Sequence, residues 1–251
     1  MIKRLSIVVA ISIAALVGLA GCFTTDSAED LPEGWPFYET PDPTPIPEFV
    51  VNLPGAYAIA GTQPSGDTYE GAMTIEENGE AYRVTWDVQG VSQTGVGVLR
   101  ANILTVAFPE GCTATIYERQ PELRLIGFWS DGSGTVQREE AIPIPEIEPE
   151  RETIDQVYVL RGEEANGETY TIQLSIRFLD DADDVLVMRW RVTETNDVEG
   201  VGLLEGDLLS AANPVECGVY SYQIDENGDL NGRWAFFGIA TEGFESAVKD
   251  E

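Results

Sequence analysis

Few residues in this chain could carry covalent chemistry, and their types narrow the field. Three cysteines and no histidine remove Ser-His-Asp and Cys-His nucleophile pairs and every histidine-ligated zinc site. Acidic groups abound: 44 Asp and Glu stand against 14 Lys and Arg, a formal charge of -30. Carboxylate pairs of the glycosidase kind would arise from that abundance alone, and no spacing singles one out. Asp225, Asn227, Asp229 and Asn231 alternate as oxygen ligands do in calcium loops. The glycine at the sixth loop position and the glutamate at the twelfth are missing, so a hairpin turn is expected. Asp180, Asp181, Asp183 and Asp184 read as a solvated acidic loop. No metal, cofactor or catalytic constellation is assigned, and the expectation is a protein that binds and is not an enzyme. The charge also argues against nucleic acid, whose phosphates are neutralised by Lys and Arg.

The aromatic residues are the better candidates. Tyr69, Trp86 and Trp129, with Tyr170, Trp190 and Trp234, fall on the apolar side of alternating segments. They could line a ligand pocket or fill a core. Tyr117 and Tyr222 could cap such an interior or bind through their hydroxyls. Cys112 and Cys217 occupy equivalent places and admit two readings, an interdomain disulfide or two separate buried thiols.

The first residues give an address. Lys3 and Arg4 precede an apolar run from Ile7 to Ala20, too short to span a bilayer as an ordinary helix. It closes on Leu19, Ala20, Gly21 and Cys22, and here the chain resembles bacterial lipoproteins, whose lipobox has this spelling. The resemblance implies a signal peptide over 1–21, cleavage before Cys22, a diacylglyceryl thioether on its sulfur, and a further acyl chain such as palmitate on its amine. Two or three chains anchor stably. The domains would then be extracytoplasmic, at the cell membrane or outer membrane. Phe23 stands where Asp signals inner-membrane retention in some bacteria, which favours the outer membrane. The acidic excess suits a solvated surface, in high salt or simply outside the cytoplasm.

Seven of the 14 prolines lie between Pro32 and Pro54, so 22–52 is expected to be an extended tether. A second Pro- and Glu-rich stretch, 143–152, reads as a linker. The flanking segments are duplicates: 95–129 and 200–234 align without a gap at an offset of 105, with 12 of 35 positions identical. Shared residues include Pro109 with Pro214, Cys112 with Cys217, Tyr117 with Tyr222, Gly127 with Gly232 and Trp129 with Trp234. The offset also pairs Glu140 with Glu245, which reads as a strand-end structural role.

Within each unit the period is two. Tyr170, Ile172, Leu174, Ile176 and Phe178 alternate with Thr169, Thr171, Gln173, Ser175 and Arg177, the pattern of a half-buried strand. Eight strands per unit, joined by short turns, predict an all-β protein with two tandem antiparallel eight-stranded meander barrels, repeat 1 over 53–142 and repeat 2 over 153–247. The alternative is a β-sandwich, but closure leaves no exposed edges. In strand number, order and size the units resemble small calycin-type barrels in architecture alone. That resemblance implies an unknown small ligand inside a barrel. The alternative is a structural or adaptor lipoprotein with solid barrels that binds an envelope protein, and the outward Ile126 and Phe128 would be a contact patch or a seam between units.

Overall fold

The computed structural model describes residues 52–144, 153–164, 166–180, 182, 184–193 and 196–250. The signal peptide, Cys22, Phe23, the tether up to residue 51, linker residues 145–152, Asp181 and Asp183 lie outside the described residues. Sixteen strands follow the alternation: β1 Gly55–Thr62, β2 Thr68–Asn78, β3 Ala81–Val88, β4 Val91–Arg100, β5 Ile103–Phe108, β6 Thr113–Arg119, β7 Leu125–Ser130 and β8 Gln137–Pro143 in the first repeat. The second repeat supplies β9 Val157–Glu163, β10 Thr169–Phe178, β11 Val185–Thr193, β12 Asn196–Glu205, β13 Leu208–Asn213, β14 Gly218–Ile224, β15 Leu230–Phe236 and β16 Gly243–Lys249. They form two closed antiparallel eight-stranded barrels.

The barrels do not coincide with the repeats, which corrects the expected boundaries of 53–142 and 153–247. The first barrel closes in the order β1-β16-β15-β14-β5-β4-β3-β2, and the second in the order β10-β11-β12-β13-β6-β7-β8-β9. Each repeat builds five strands of one barrel, then sends its last three into the other. The exchange occurs where a β5–β6 hairpin was expected. Pro109 ends the ladder because it has no N–H to donate, and the next three residues carry the chain across to β6, which pairs with β13. Pro214 does the same after β13, and β14 pairs with β5.

This exchange explains why all six residues of β5 are buried. Leu104, Val106 and Phe108 face the first barrel's interior, while Ile103 and Ala107 join Ile116, Val201, Leu203 and Val219 in a core between the barrels. At the centre of that seam Thr105 Oγ1 lies 2.6 Å from Ser210 Oγ, and these are equivalent positions of the duplication. Phe128 also packs here, under the Arg100 guanidinium at 4.0 Å. Of the two readings of that patch, the structure shows the seam between units for Phe128.

Cys112 and Cys217, each just past a crossover, form a disulfide with Cα atoms 6.0 Å apart and a sequence separation of 105. Closing so long a loop restricts the unfolded chain by about 4–5 kcal/mol in the chain-entropy account. A Cys112→Ser/Cys217→Ser variant should therefore keep the native far-ultraviolet spectrum but lose about that much in urea unfolding, because the seam survives without the bond. An unchanged midpoint would refute this.

Candidate functional site

Both barrels carry one polar arrangement, set by a row of five residues running across neighbouring strands. In the first barrel the row is Tyr69 on β2, Gly61 on β1, Glu245 on β16, Gly232 on β15 and Tyr222 on β14. In the second it is Tyr170 on β10, Gly162 on β9, Glu139 on β8, Gly127 on β7 and Tyr117 on β6. The glycines are required by close approach. A β-carbon at Gly61 or Gly162 would overlap the Tyr69 or Tyr170 ring, and one at Gly232 or Gly127 the Tyr222 or Tyr117 ring. Each tyrosine thus folds flat over the glycine beside it and brings its hydroxyl to the glutamate.

The carboxylates are buried, Glu245 to 3% exposure and Glu139 to 6%, and both are saturated. Tyr69 Oη donates to Glu245 Oε2 at 2.8 Å, Tyr222 Oη donates to Oε1, and Trp86 Nε1 donates to Oε1 at 3.2 Å. In the second barrel Tyr117 Oη donates to Glu139 Oε1 at 2.5 Å and Tyr170 Oη to Oε2 at 2.6 Å. Trp190 Nε1 donates to Tyr117 Oη at 3.4 Å and Trp129 Nε1 to Tyr170 Oη at 3.2 Å. Burial raises both carboxyl pKa values, and the phenolic donors oppose that rise in part.

A glutamate whose folded pKa is raised favours the fold when protonated. Stability should fall as pH climbs from the unfolded value near 4.5 through the raised folded value, then level off. Glu139→Gln/Glu245→Gln should flatten that decline relative to the parent chain, read as urea midpoints across the pH range. Parallel curves for the two proteins would refute the assignment.

The sequence paired Glu140 with Glu245, and the register corrects it to Glu139. The paired residues Gly232 and Glu245 are 13 positions apart, whereas Gly127 and Glu139 are 12 apart, so the ungapped offset slips by one position, and a slip of one turns a side chain to the opposite face. Glu140 points outward and pairs with Arg124. The six aromatic candidates are interior, but they regroup. Tyr69 and Trp86 meet Trp234 from the second repeat, whereas Trp129 from the first repeat joins Tyr170 and Trp190. Sequence reasoning missed Glu139, Tyr220 and Phe108. The matched glycines 127 and 232 beside matched tyrosines were the signal that could have led to Glu139.

One end distinguishes the two barrels. In the first, Phe108, Tyr220, Trp234 and Phe236 pack ring on ring with centroids 4.9 to 6.3 Å apart, and Trp86 stacks on Tyr220 at 5.1 Å. The equivalent residues of the second barrel are Asn213, Thr115, Trp129, Asp131 and Trp190, so three of the five rings are replaced by short polar side chains. Ile172 and Val198, where the first repeat has Gly71 and Gln93, pack against the second core and restore part of the volume. Among the described residues every ring-to-ring contact lies in the first barrel. Trp129 and Tyr170 are partly exposed, whereas Trp234 is only 7% exposed and Tyr69 only 9%, and Val192 at the same rim is 47% exposed.

The remaining candidates resolve into structural roles. Asp225 Oδ1 accepts the Asn227 and Asp229 amides in the β14–β15 turn, so its oxygen serves the backbone, as expected of a hairpin. Asp184 accepts from Arg233 Nη1 at 2.9 Å, bridging the barrels. An open cleft of about 920 Å³ lies against the first barrel, lined by Ala60, Thr68, Glu70, Phe244 and Ser246 together with Gly61, Tyr69, Gly232 and Glu245 of that barrel's row.

Comparison of the chain with protein-family models, with curated proteins and with solved structures finds no match.

Proposed function

We propose that the chain is an extracytoplasmic lipoprotein, anchored through lipid on Cys22, that acts as a non-catalytic binding module and holds a small ligand at the Trp129 end of its second barrel. The address is supported by the basic residues, short apolar run and Leu19-Ala20-Gly21-Cys22 ending. The observation that carries the binding reading is the loss of three plugging rings, replaced by Asn213, Thr115 and Asp131, beside a partly exposed Trp129. Apolar walls with a few polar groups are the usual make-up of a small-molecule site.

Two experiments test it. Labelled palmitate should enter the parent chain and not Cys22→Ala, whose protein should leave the membrane fraction; label on Cys22→Ala would refute the anchor. A neutral compound library should contain members that raise the melting temperature of the parent chain by mass action. Rebuilding the plug with Thr115→Tyr/Asn213→Phe should abolish those shifts, and shifts that persist would place the ligand elsewhere.

A second reading, an adaptor that binds an envelope protein, is favoured by the filled first barrel and by Phe244 and Val248, each 55% exposed on its outer face. Partner binding lost in Phe244→Asp and kept in the plugged variant would select it.

A further inference from the structure

We propose that the ligand of the second barrel is an uncharged sugar ring, seated with one apolar face on the Trp129 indole and its hydroxyls bonded by Thr115, Gln137, Asn213 and Asp131. The inference rests on the binding-module reading above and names its ligand class. It begins with what Trp129 has left to offer. Its N–H is committed to Tyr170 Oη at 3.2 Å, so the partly exposed indole presents its ring. An aromatic face is electron-rich and suits the polarised C–H bonds of a pyranose.

The register places the hydrogen-bonding groups around that ring. Trp129 pairs with Thr115 on one side and Gln137 on the other, so the indole stands between a hydroxyl and an amide whose Nε2 donates to Thr135 Oγ1 at 3.1 Å, leaving its carbonyl oxygen for a ligand. Ala211 pairs with Thr115. Two residues further towards the rim on β13, hence on the same inward face, lies Asn213, and Asp131 follows the end of β7 as an exposed residue of the rim. The Ser133 hydroxyl and the Ser133 amide, the latter 2.9 Å from Oδ1, hold the Asp131 pKa below the usual carboxylate range. Hydroxyl, two amides and an ionised carboxylate both donate and accept, as recognition of several adjacent hydroxyls demands.

Charge decides against the neighbouring ligand classes. Among the described residues none of the inward positions at this end is Lys or Arg, and the chain carries -30, so an anion would meet repulsion with no guanidinium to offset it. Glu139 beneath is already bonded by two phenols. A quaternary ammonium would use the aromatic faces and Asp131, but would leave Thr115, Gln137 and Asn213 without a role. The first barrel is an internal control, because Trp234 is flanked by Tyr220 and Gly243 and packed against Phe108 and Phe236.

The test uses the full chain in a polyoxyethylene detergent, which carries no sugar. D-glucose, D-galactose and N-acetylglucosamine are titrated and followed by saturation-transfer NMR, with choline and neutral N-phenylnaphthylamine as contrasting probes. At least one sugar should bind with a dissociation constant of about 0.1–1 mM, as befits a shallow site. Trp129→Ala and Thr115→Tyr/Asn213→Phe should each weaken it at least about tenfold, Trp129→Phe less, and Trp234→Phe not at all; melting curves identify any variant that fails to fold, and Trp129→Phe then decides. No sugar binding up to about 10 mM, or binding indifferent to Trp129→Phe and to the plug, overturns the proposal. If choline or N-phenylnaphthylamine binds instead and is lost on plugging, the sugar is wrong and the binding module stands. If no probe binds, both readings fall.

Discussion

Residues 52–144 expressed alone are expected not to form a monomeric barrel, although they contain a complete repeat with eight strands. β5 would lack β14, β1 would lack β16, β6 would lack β13 and β8 would lack β9. The exposed edges would carry unpaired backbone groups, and Ile103, Ala107, Ala114 and Ile116 would face water in place of the inter-barrel core. Self-pairing into a homodimer that exchanges β6–β8, or aggregation, is the expected outcome. By contrast, a full chain cut at a protease site placed between residues 145 and 152 should migrate as one particle, even after reduction of Cys112–Cys217. Each fragment then still contributes strands to both barrels. Light scattering coupled to size exclusion reads both results. A stable folded monomer from 52–144 would refute the exchanged topology.

The second large effect separates two adjacent glutamates. Glu139→Ala removes the acceptor of Tyr117 and Tyr170 inside the second barrel and leaves both hydroxyls without it. At about 1–3 kcal/mol per unsatisfied buried group, with a further term for the space left behind, the loss should be about 3–5 kcal/mol. That is a large part of the about 5–15 kcal/mol that holds a typical domain folded. Glu140→Ala removes only a surface partner of Arg124 and should cost less than about 1 kcal/mol. Glu245→Ala should behave like Glu139→Ala, because Tyr69, Tyr222 and Trp86 lose their acceptor together. Urea unfolding of the three variants checks the order. Equal effects at 139 and 140 would contradict the register of β7, β8 and β9.

Much of the interior was legible because alternation is a local property. Tyr170, Ile172, Leu174 and Ile176 announce β10 whatever closes the barrel, and strand limits read from such runs agree with the structure to within a few residues. The buried carboxylates were not legible. Hydropathy treats Glu139 as a surface residue, and its burial depends on two phenols that come from β6 and, in the other repeat, β10. The correspondence of Cys112 with Cys217 admitted a disulfide and left two separate buried thiols open, since proximity is not a property of equivalence. The exchanged topology brings both crossovers to one place.

Acting alone, the sequence determined that the chain is all-β, that it is duplicated, that each copy holds eight strands with an apolar inward face, and that histidine-dependent chemistry is absent. Only the tertiary structure decided which strands share a barrel. Duplication makes β6–β8 and β14–β16 nearly interchangeable in pattern, so closing each barrel with its own three strands or with the other repeat's satisfies the same ladders and buries the same inward faces. What separates the two closures is the second face of β5, β6, β13 and β14. Exchange buries that face in the seam between the barrels, and burial between distant segments is a sum over contacts that no local run of residues contains.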